Sequence, residues 1–210
     1  MSSTIGVQNI AHTNGTVAAT VSSGGVVAFN NPPTGIVTGS MVKLLDDTMT
    51  NIPEYIITST YINSTYDRYK LYFQLLPAND STYLYSYAYV NGSEVGTGNI
   101  HARQLWPMDG GTVATNGAVY ELALHNKYAM GNAAGEGITV EADILNVNST
   151  TAPYCIMGQM VEIYNGGAPV GGIFSGSAKP ASRALILNGL KLKMNTGNIA
   201  TGSIQLYGVV

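Results

Sequence analysis

Apolar and polar residues alternate along most of the chain beyond residue 39, with a period of two residues. In the segment TYLYSYAYV, Tyr83, Tyr85, Tyr87 and Tyr89 occupy one set of alternate positions, and smaller or aliphatic residues occupy the other. This period places the two sets on opposite faces of a β-strand. The pattern predicts strands at 40–46, 54–60, 68–76, 82–90, 117–124, 137–145, 155–164, 184–194 and 202–209.

Segments rich in glycine, proline and asparagine separate these strands at the short spacing that is typical of a double-sheet sandwich. The sequence therefore predicts an all-β fold, a jelly-roll-like antiparallel β-sandwich. Helix content should be minimal, because the best candidate helical turn, at 126–135, contains two glycines. The segments 91–116 and 165–182 are predicted to be long loops, where binding functions are often found.

The first 38 residues differ from the remainder. Short apolar segments at 17–21 and 26–29 are separated by Gly24-Gly25, and Asn14-Gly15 precedes the first of them. Both dipeptides are strong signals for hairpin turns. The apolar residues are too few to form a core, so we predict an arm at 1–38 that needs a partner surface and a β-sandwich domain at 39–210.

The final predicted strand, 202–209, lies at the end of the sequence. A terminal strand with an unpaired edge leaves its N–H and C=O groups without partners and invites aggregation. We therefore expect this strand to be paired within a sheet.

Composition limits the classes of partner. Only 10% of the residues are charged, the net charge is −3 and the isoelectric point is about 5.5, which argues against a nucleic-acid partner. The sequence has no apolar run long enough for a membrane helix and no signal peptide at its start, so we expect no membrane insertion and synthesis in a reducing cytoplasm. The single cysteine, Cys155, has apolar neighbours and is predicted to be a buried core residue.

The sequence offers little catalytic chemistry. Its three histidines, His12, His101 and His125, lie in separate regions without other ligands at metal-binding spacing. We therefore predict no metal, no cofactor, no catalytic residue and no enzymatic activity. One enzymatic alternative stays open: Glu121 with Glu141 or Asp143 could form the carboxylate pair of a glycan-cleaving enzyme.

The tyrosine face is the most distinctive feature of the composition. Its four tyrosines could stabilise the sheet through cross-strand aromatic pairs, fill a subunit interface or stack on sugars. Trp106 and Tyr128 are further candidate surface aromatics, although Trp106 could equally fill the core.

Three segments carry a resemblance to a known group of proteins. They are QNIAHTNGT with VSSGGVV near the start, TYDRYKLYFQLLPANDSTYLYSYAYVNGSEVGTG in the middle, and TGNIATGSIQLYGV at the end. Together, in this order, they resemble segments of tail-fibre-like and other virion structural proteins of tailed bacteriophages, particularly those of the marine and cyanobacterial type.

The resemblance implies a homotrimer whose distal β-sandwich is attached to the virion by its N-terminal arm. The residues expected to dock the arm or form the trimer are Ile10, His12, Asn14, Gly15, Val21, Val27 and Phe29. The expected partners are the protein itself, other tail or capsid proteins and a glycan of the host cell surface.

The leading hypothesis is a non-enzymatic bacteriophage virion protein, a short trimeric tail fibre or spike that contacts the host surface. A capsid decoration protein, also called a cement protein or head fibre, is the alternative. A glycan depolymerase and a soluble lectin-like module are further hypotheses.

Overall fold

A computed structural model describes residues 9–11, 17–21, 23, 27–29, 41–90, 92–95, 100–106, 112–119, 129–178 and 186–210. The chain divides into two compact units, Met1–Ser40 and Met41–Val210. The described residues contain no helix.

The N-terminal unit contains a small antiparallel sheet. Its strands are β1 (Asn9–Ala11), β2 (Val17–Val21) and β3 (Val27–Phe29), and they lie in sequence order. In the register, Ala19 lies opposite both Ile10 and Phe29, and its own side chain is buried. The antiparallel pairing of these strands agrees with the hairpin-turn signals that the sequence carries between them.

The second unit is a sandwich of two antiparallel sheets, one of them curled. The eight strands of the larger sheet, in chain order, are β4 (Met41–Ile52), β6 (Arg68–Pro77), β9 (Ile100–Trp106), β10 (Thr112–Val119), β11 (Gly137–Leu145), β12 (Cys155–Ile163), β13 (Pro169–Ala178) and β15 (Ile199–Val209). The four strands of the smaller sheet are β5 (Glu54–Ile57), β7 (Leu84–Val90), β8 (Ser93–Glu94) and β14 (Leu187–Met194). The predicted all-β sandwich is confirmed.

Alternation decides which side chains enter the core. In β6, Tyr69, Leu71, Phe73 and Leu75 are buried, while the residues between them are partly or fully exposed. Strand β7 follows the same rule, with its tyrosines on the outward face. The buried residues of both sheets form one hydrophobic cluster. A shift of one residue in strand pairing would turn these side chains toward solvent, so the cluster fixes the register of the strands.

The last strand occupies the interior of the larger sheet, as expected from the cost of an unpaired edge. The spatial order is β10-β9-β13-β12-β11-β6-β15-β4, so β15 is paired on both sides. The turn before it, which contains Gly197 at φ +73°, carries the chain from the smaller sheet into the larger one.

Both predicted long loops are wrong in large part. Strands β8, β9 and β10 contain most of the described residues of 91–116, and β13 crosses the middle of 165–182. The prediction read the glycines of β13 as turn residues. Instead, Gly172 and Gly176 are buried within the strand, opposite the large side chains of Met160 and Ile156. Glycine in a strand can thus mark close packing rather than a turn.

Two smaller predictions also need correction. The strand predicted at 117–124 begins earlier, as β10, and the residues after Val119 lie outside the described residues. The candidate helical turn at 126–135 forms no helix over its described part, residues 129–135. There Met130 instead forms bridges with Thr82 and Tyr164, and Gly135 adopts a φ of +90°, which is incompatible with a right-handed helix.

A glycine on β12 permits the close approach of two central strands. A Cβ atom added to Gly158 would lie 2.0 Å from the backbone oxygen of Glu141 and 2.8 Å from Cα of Ala142. Backbone atoms of a central strand cannot move aside as a flexible side chain can. We therefore expect Gly158→Ala to lower the free energy of unfolding by about 2–3 kcal/mol, measured by urea denaturation.

The matched control for this change is Gly171→Ala on the neighbouring strand. A Cβ atom there meets only the backbone oxygen of Met160, at 3.9 Å. Its effect should stay within about 0.5 kcal/mol. Equal effects of the two substitutions would contradict a role of Gly158 in strand spacing.

Candidate functional site

A groove lies on the outward face of the larger sheet. Its volume is about 640 Å³, within the range of small-molecule sites. Its lining residues come from β6, β11, β12, β13 and β15, and include Tyr72, Gln74, Thr139, Glu141, Gln159, Ile173, Ser203 and Gln205. We call this surface the sheet groove.

The strand register brings these residues together. One row runs straight across the sheet through Asp46, Gln205, Tyr72, Glu141, Gln159 and Ile173, each opposite the next on the neighbouring strand. Neighbouring strands lie about 4.8 Å apart, so adjacent members of the row can contact one another. The groove thus combines the consecutive strands β11, β12 and β13 with β6 and β15, which other strands separate from them in the sequence.

Four charged residues form one network beside the groove. Nη2 of Arg68 lies 2.8 Å from Oδ1 of Asp143, and Nζ of Lys70 lies 3.1 Å from Oδ2 of the same carboxylate. Lys70 also reaches Oε1 of Glu141, at 3.3 Å. The two positive and two negative charges balance, so the network carries no net charge.

This network sets the protonation state of Asp143. Partial burial alone would raise the pKa of its carboxyl, but the hydrogen bonds from Arg68 and Lys70 outweigh that effect and hold the pKa below 3.8. A proton-donating carboxyl of a glycosidase needs a raised pKa instead. The geometry therefore favours Asp143 as a fixed negative charge and not as a general acid.

Apolar side chains also lie on this outward face. Met157, Val161 and Ile173 are 43%, 49% and 53% exposed, respectively. In the register, Ile173 faces Gln159, which lies between Met157 and Val161 on β12, so the three side chains are neighbours. Apolar residues at outward strand positions, next to polar ones, are typical of a binding surface.

The smaller sheet presents a second surface, built on the predicted tyrosine face. Tyr85, Tyr87 and Tyr89 are half-buried on the outward side of β7, whereas Tyr83 lies just before the strand. The rings of Tyr85 and Tyr87 pack edge to face with their centres 6.4 Å apart. The alternation expected from the sequence is confirmed, and the use of the face as an interface stays a prediction.

One lysine sits at the centre of this second surface. Nζ of Lys191 lies 4.6 Å from the centre of the Tyr87 ring, forms an ion pair with Glu94 and approaches Oε2 of Glu54 to 3.8 Å. Only 11% of its side chain is exposed. Burial alone would lower the pKa of Lys191, but the hydrogen bond and charge of Glu94 outweigh it and raise that pKa. These contacts clamp β14 to β5 and β8.

No protein-family model, curated protein or solved structure matches this chain. Its function must therefore be inferred from the sequence and from the two surfaces described above.

The predicted arm residues fall partly within the described chain. Ile10 lies in β1, Val21 ends β2 and is half-buried, and Val27 and Phe29 lie in β3. His12, Asn14 and Gly15 lie outside the described residues. Their proposed roles in docking and trimer formation stay predictions.

The other candidates are dispersed. Trp106 is the last residue of β9, opposite Thr112, and so lies in a strand and not in the predicted loop. Tyr128 and the candidate acid Glu121 lie outside the described residues. Glu141 and Asp143 do share the outward face of β11, in the network with Lys70.

Sequence reasoning missed most of the sheet groove, including Tyr72, Gln74, Gln159 and Gln205. A weak signal was present, because β12 and β13 place Met157, Val161 and Ile173 at positions where alternation predicts polar residues. Apolar residues at such outward positions indicate a binding surface, but they do not identify the other strands that line the groove.

Within the described part of the chain, no three or more histidine, cysteine, aspartate or glutamate residues are grouped so that they could hold a metal ion. The same residues include no helix of the length and hydropathy that crossing a bilayer requires. Cys155 is half-buried at the start of β12 and not buried in the core as predicted, and burial raises the pKa of its thiol. Its position at the strand end explains the remaining exposure.

We expect Asp143→Asn to reduce the free energy of unfolding by about 0.5–1 kcal/mol at neutral pH. Because the pKa of Asp143 is lowered in the folded protein, its contribution is present above pH 3.8 and is lost as the pH falls through the folded value. The difference between the variant and the wild type, measured by urea denaturation from about pH 7 to pH 2, should therefore shrink toward zero in acid. A difference that is constant with pH would contradict the ion-pair role.

We expect Lys191→Met to lower the free energy of unfolding by about 1–3 kcal/mol, because it leaves two carboxylates near each other without their shared cation. Lys193→Met is the matched control, since Lys193 lies on the same strand, is exposed and forms no ion pair with a described residue. Its cost should stay within about 0.5 kcal/mol. Thermal or urea denaturation measures the free energy of unfolding of both variants. Similar losses in the two would show that the ion pairs of Lys191 make no specific contribution to stability.

Proposed function

We propose that the protein is a non-enzymatic structural protein of a bacteriophage virion, a short trimeric tail fibre or spike. Its N-terminal arm attaches it to the particle, and its β-sandwich contacts the host surface. The observation that carries the proposal is the N-terminal sheet, a separate unit whose three strands have only three, five and three residues.

A sheet of this size is too small for independent stability. Two or three short strands need a hydrophobic surface to cover one face, because they bury too little apolar area to offset the entropy of ordering the chain. Sister copies around a threefold axis can supply that surface jointly. The resemblance of residues 8–27 to the corresponding segments of virion proteins supports the same use.

The chemistry of the sheet groove supports a binding role over a catalytic one. Its carboxylates are held in ion pairs with Arg68 and Lys70, and the pKa of Asp143 is lowered and not raised. An exposed surface that combines apolar and polar side chains fits weak recognition repeated over several copies, where avidity provides the overall hold.

We expect full-length protein to sediment as a trimer at micromolar concentration. Val21→Asp should shift it to monomers, because Val21 is a half-buried member of the small sheet and three carboxylates would be brought close together around the axis. Ser23→Asp, which adds the same charge at an exposed position two residues away, should leave the trimer intact.

Two results would overturn this expectation. A wild-type protein that stays monomeric at these concentrations removes the trimer. A Val21→Asp variant that stays trimeric would show that the small sheet does not lie at the threefold axis.

Electron microscopy of virions tests the location. Density at the tail supports the fibre, density at the icosahedral axes assigns the protein to capsid decoration, and absence from the particle rejects a virion role.

A further inference from the structure

We propose that the sheet groove binds an uncharged oligosaccharide through Tyr72, Gln74 and Gln159. Only the biological source of the sugar, the host surface, rests on the proposed function. The chemistry of the ligand is argued from the groove itself.

The charge balance argues against a charged ligand. Arg68 and Lys70 are already engaged by Asp143 and Glu141, at distances between 2.8 and 3.3 Å. An anionic ligand would have to compete with these carboxylates for the basic side chains, and a cationic ligand would have to compete with the basic side chains for the carboxylates. Both exchanges give up existing ion pairs, whereas a neutral ligand leaves the network intact.

A row of unused polar groups lies beside this network. Ser203, Gln74 and Thr139 are consecutive cross-strand neighbours on β15, β6 and β11. All three are exposed, and their side chains form no hydrogen bond with a described residue. The row spans about 10 Å and offers hydroxyl and carboxamide groups, which both donate and accept, as sugar hydroxyls do.

The next row supplies a carboxamide and an aromatic ring. Nε2 of Gln159 donates to Oε2 of Glu141 at 3.3 Å, which orients the carboxamide and leaves its oxygen available as an acceptor. Tyr72 packs edge to face against Tyr207, with the ring centres 6.0 Å apart, and lines the groove. A ring fixed in this way provides contact area at little cost in side-chain entropy.

Apolar side chains complete the surface. Val161 continues the first row beside Thr139, and Ile173 continues the second beside Gln159. Both line the groove and are about half exposed. A sugar ring presents C–H groups on its faces and hydroxyls at its edge, so it matches a site that combines an aromatic ring, aliphatic side chains and neutral hydrogen-bonding groups. This mixture is typical of sites that fix a small ligand by a few placed polar groups.

An extended peptide fits the groove less well. Peptides that add to a sheet use free main-chain groups at an edge. The strands that line this groove, β6, β11, β12, β13 and β15, are each paired on both sides. Recognition must therefore use side chains alone, as a sugar ligand permits.

The experiment is a calorimetric or NMR titration of full-length protein with defined hexasaccharides. The probes are neutral hexasaccharides of glucose, galactose and mannose, with hexasaccharides of galacturonic acid and glucosamine as charged counterparts. We expect at least one neutral probe to bind with a dissociation constant of about 1 mM or tighter, and the charged probes to bind at least about tenfold more weakly.

Variants then locate the site. Tyr72→Ala and Gln159→Leu should each weaken binding at least about tenfold. Tyr85→Ala is the matched control, because Tyr85 is also a half-buried tyrosine in an edge-to-face pair, but on the smaller sheet. It should bind as the wild type does, and the sedimentation of all three variants should match that of the wild type.

Several outcomes overturn the proposal. These are no binding of any neutral probe, stronger binding of a charged probe, or a loss in Tyr85→Ala that equals the loss in Tyr72→Ala. A changed oligomeric state in Tyr72→Ala or Gln159→Leu would assign the groove to contact between copies. If the protein is found on virions but binds no sugar, the sugar-binding proposal fails and the proposed virion function stands. If it binds sugar but is absent from virions, the virion function fails and the sugar-binding proposal stands.

Discussion

The pairing of β15 between β4 and β6 is the interaction on which the sandwich depends. Among the described strands, β4 pairs with β15 alone, so the first strand of the sandwich joins the sheet only through the last. The two strands that flank β15 begin more than a hundred residues before it. Pairs this distant in sequence carry a large loop-closure cost, which the buried side chains Ile204 and Leu206 help to offset.

The register of these strands also determines which residues lie next to one another on the outward face of the sheet. A shift of one residue would turn every core side chain of a strand toward solvent, so burial on the inward side specifies which residues meet on the outward side. Tyr72, Glu141 and Gln159 are aligned for this reason, although none contributes to the hydrophobic cluster. The groove is thus a consequence of the core, and its polar side chains are placed by apolar residues that point the other way.

Seven of the charged residues form two networks, one on each outward face. Lys70 bridges Glu141 and Asp143 on the larger sheet, while Lys191 bridges Glu54 and Glu94 on the smaller one. The first network carries no net charge, and the second joins β14 to its neighbour β5 and, across β7, to β8. A surface of this kind favours neutral partners and close approach of other copies, which agrees with the proposed role as a particle component that recognises a host sugar.

The sequence by itself determined the all-β fold, the faces of strands such as β7 and β11, and the small size of the N-terminal sheet, because alternation and turn chemistry act locally. It did not determine that the glycines of β13 lie within a strand. Gly172 and Gly176 lie opposite Met160 and Ile156 on the neighbouring strand, and this pairing is not visible in the sequence of β13 itself. Nor did it determine the sheet groove, whose members lie on five strands. Only the tertiary structure decided these points, because strand order and register arise from burial of the whole core and not from any one segment.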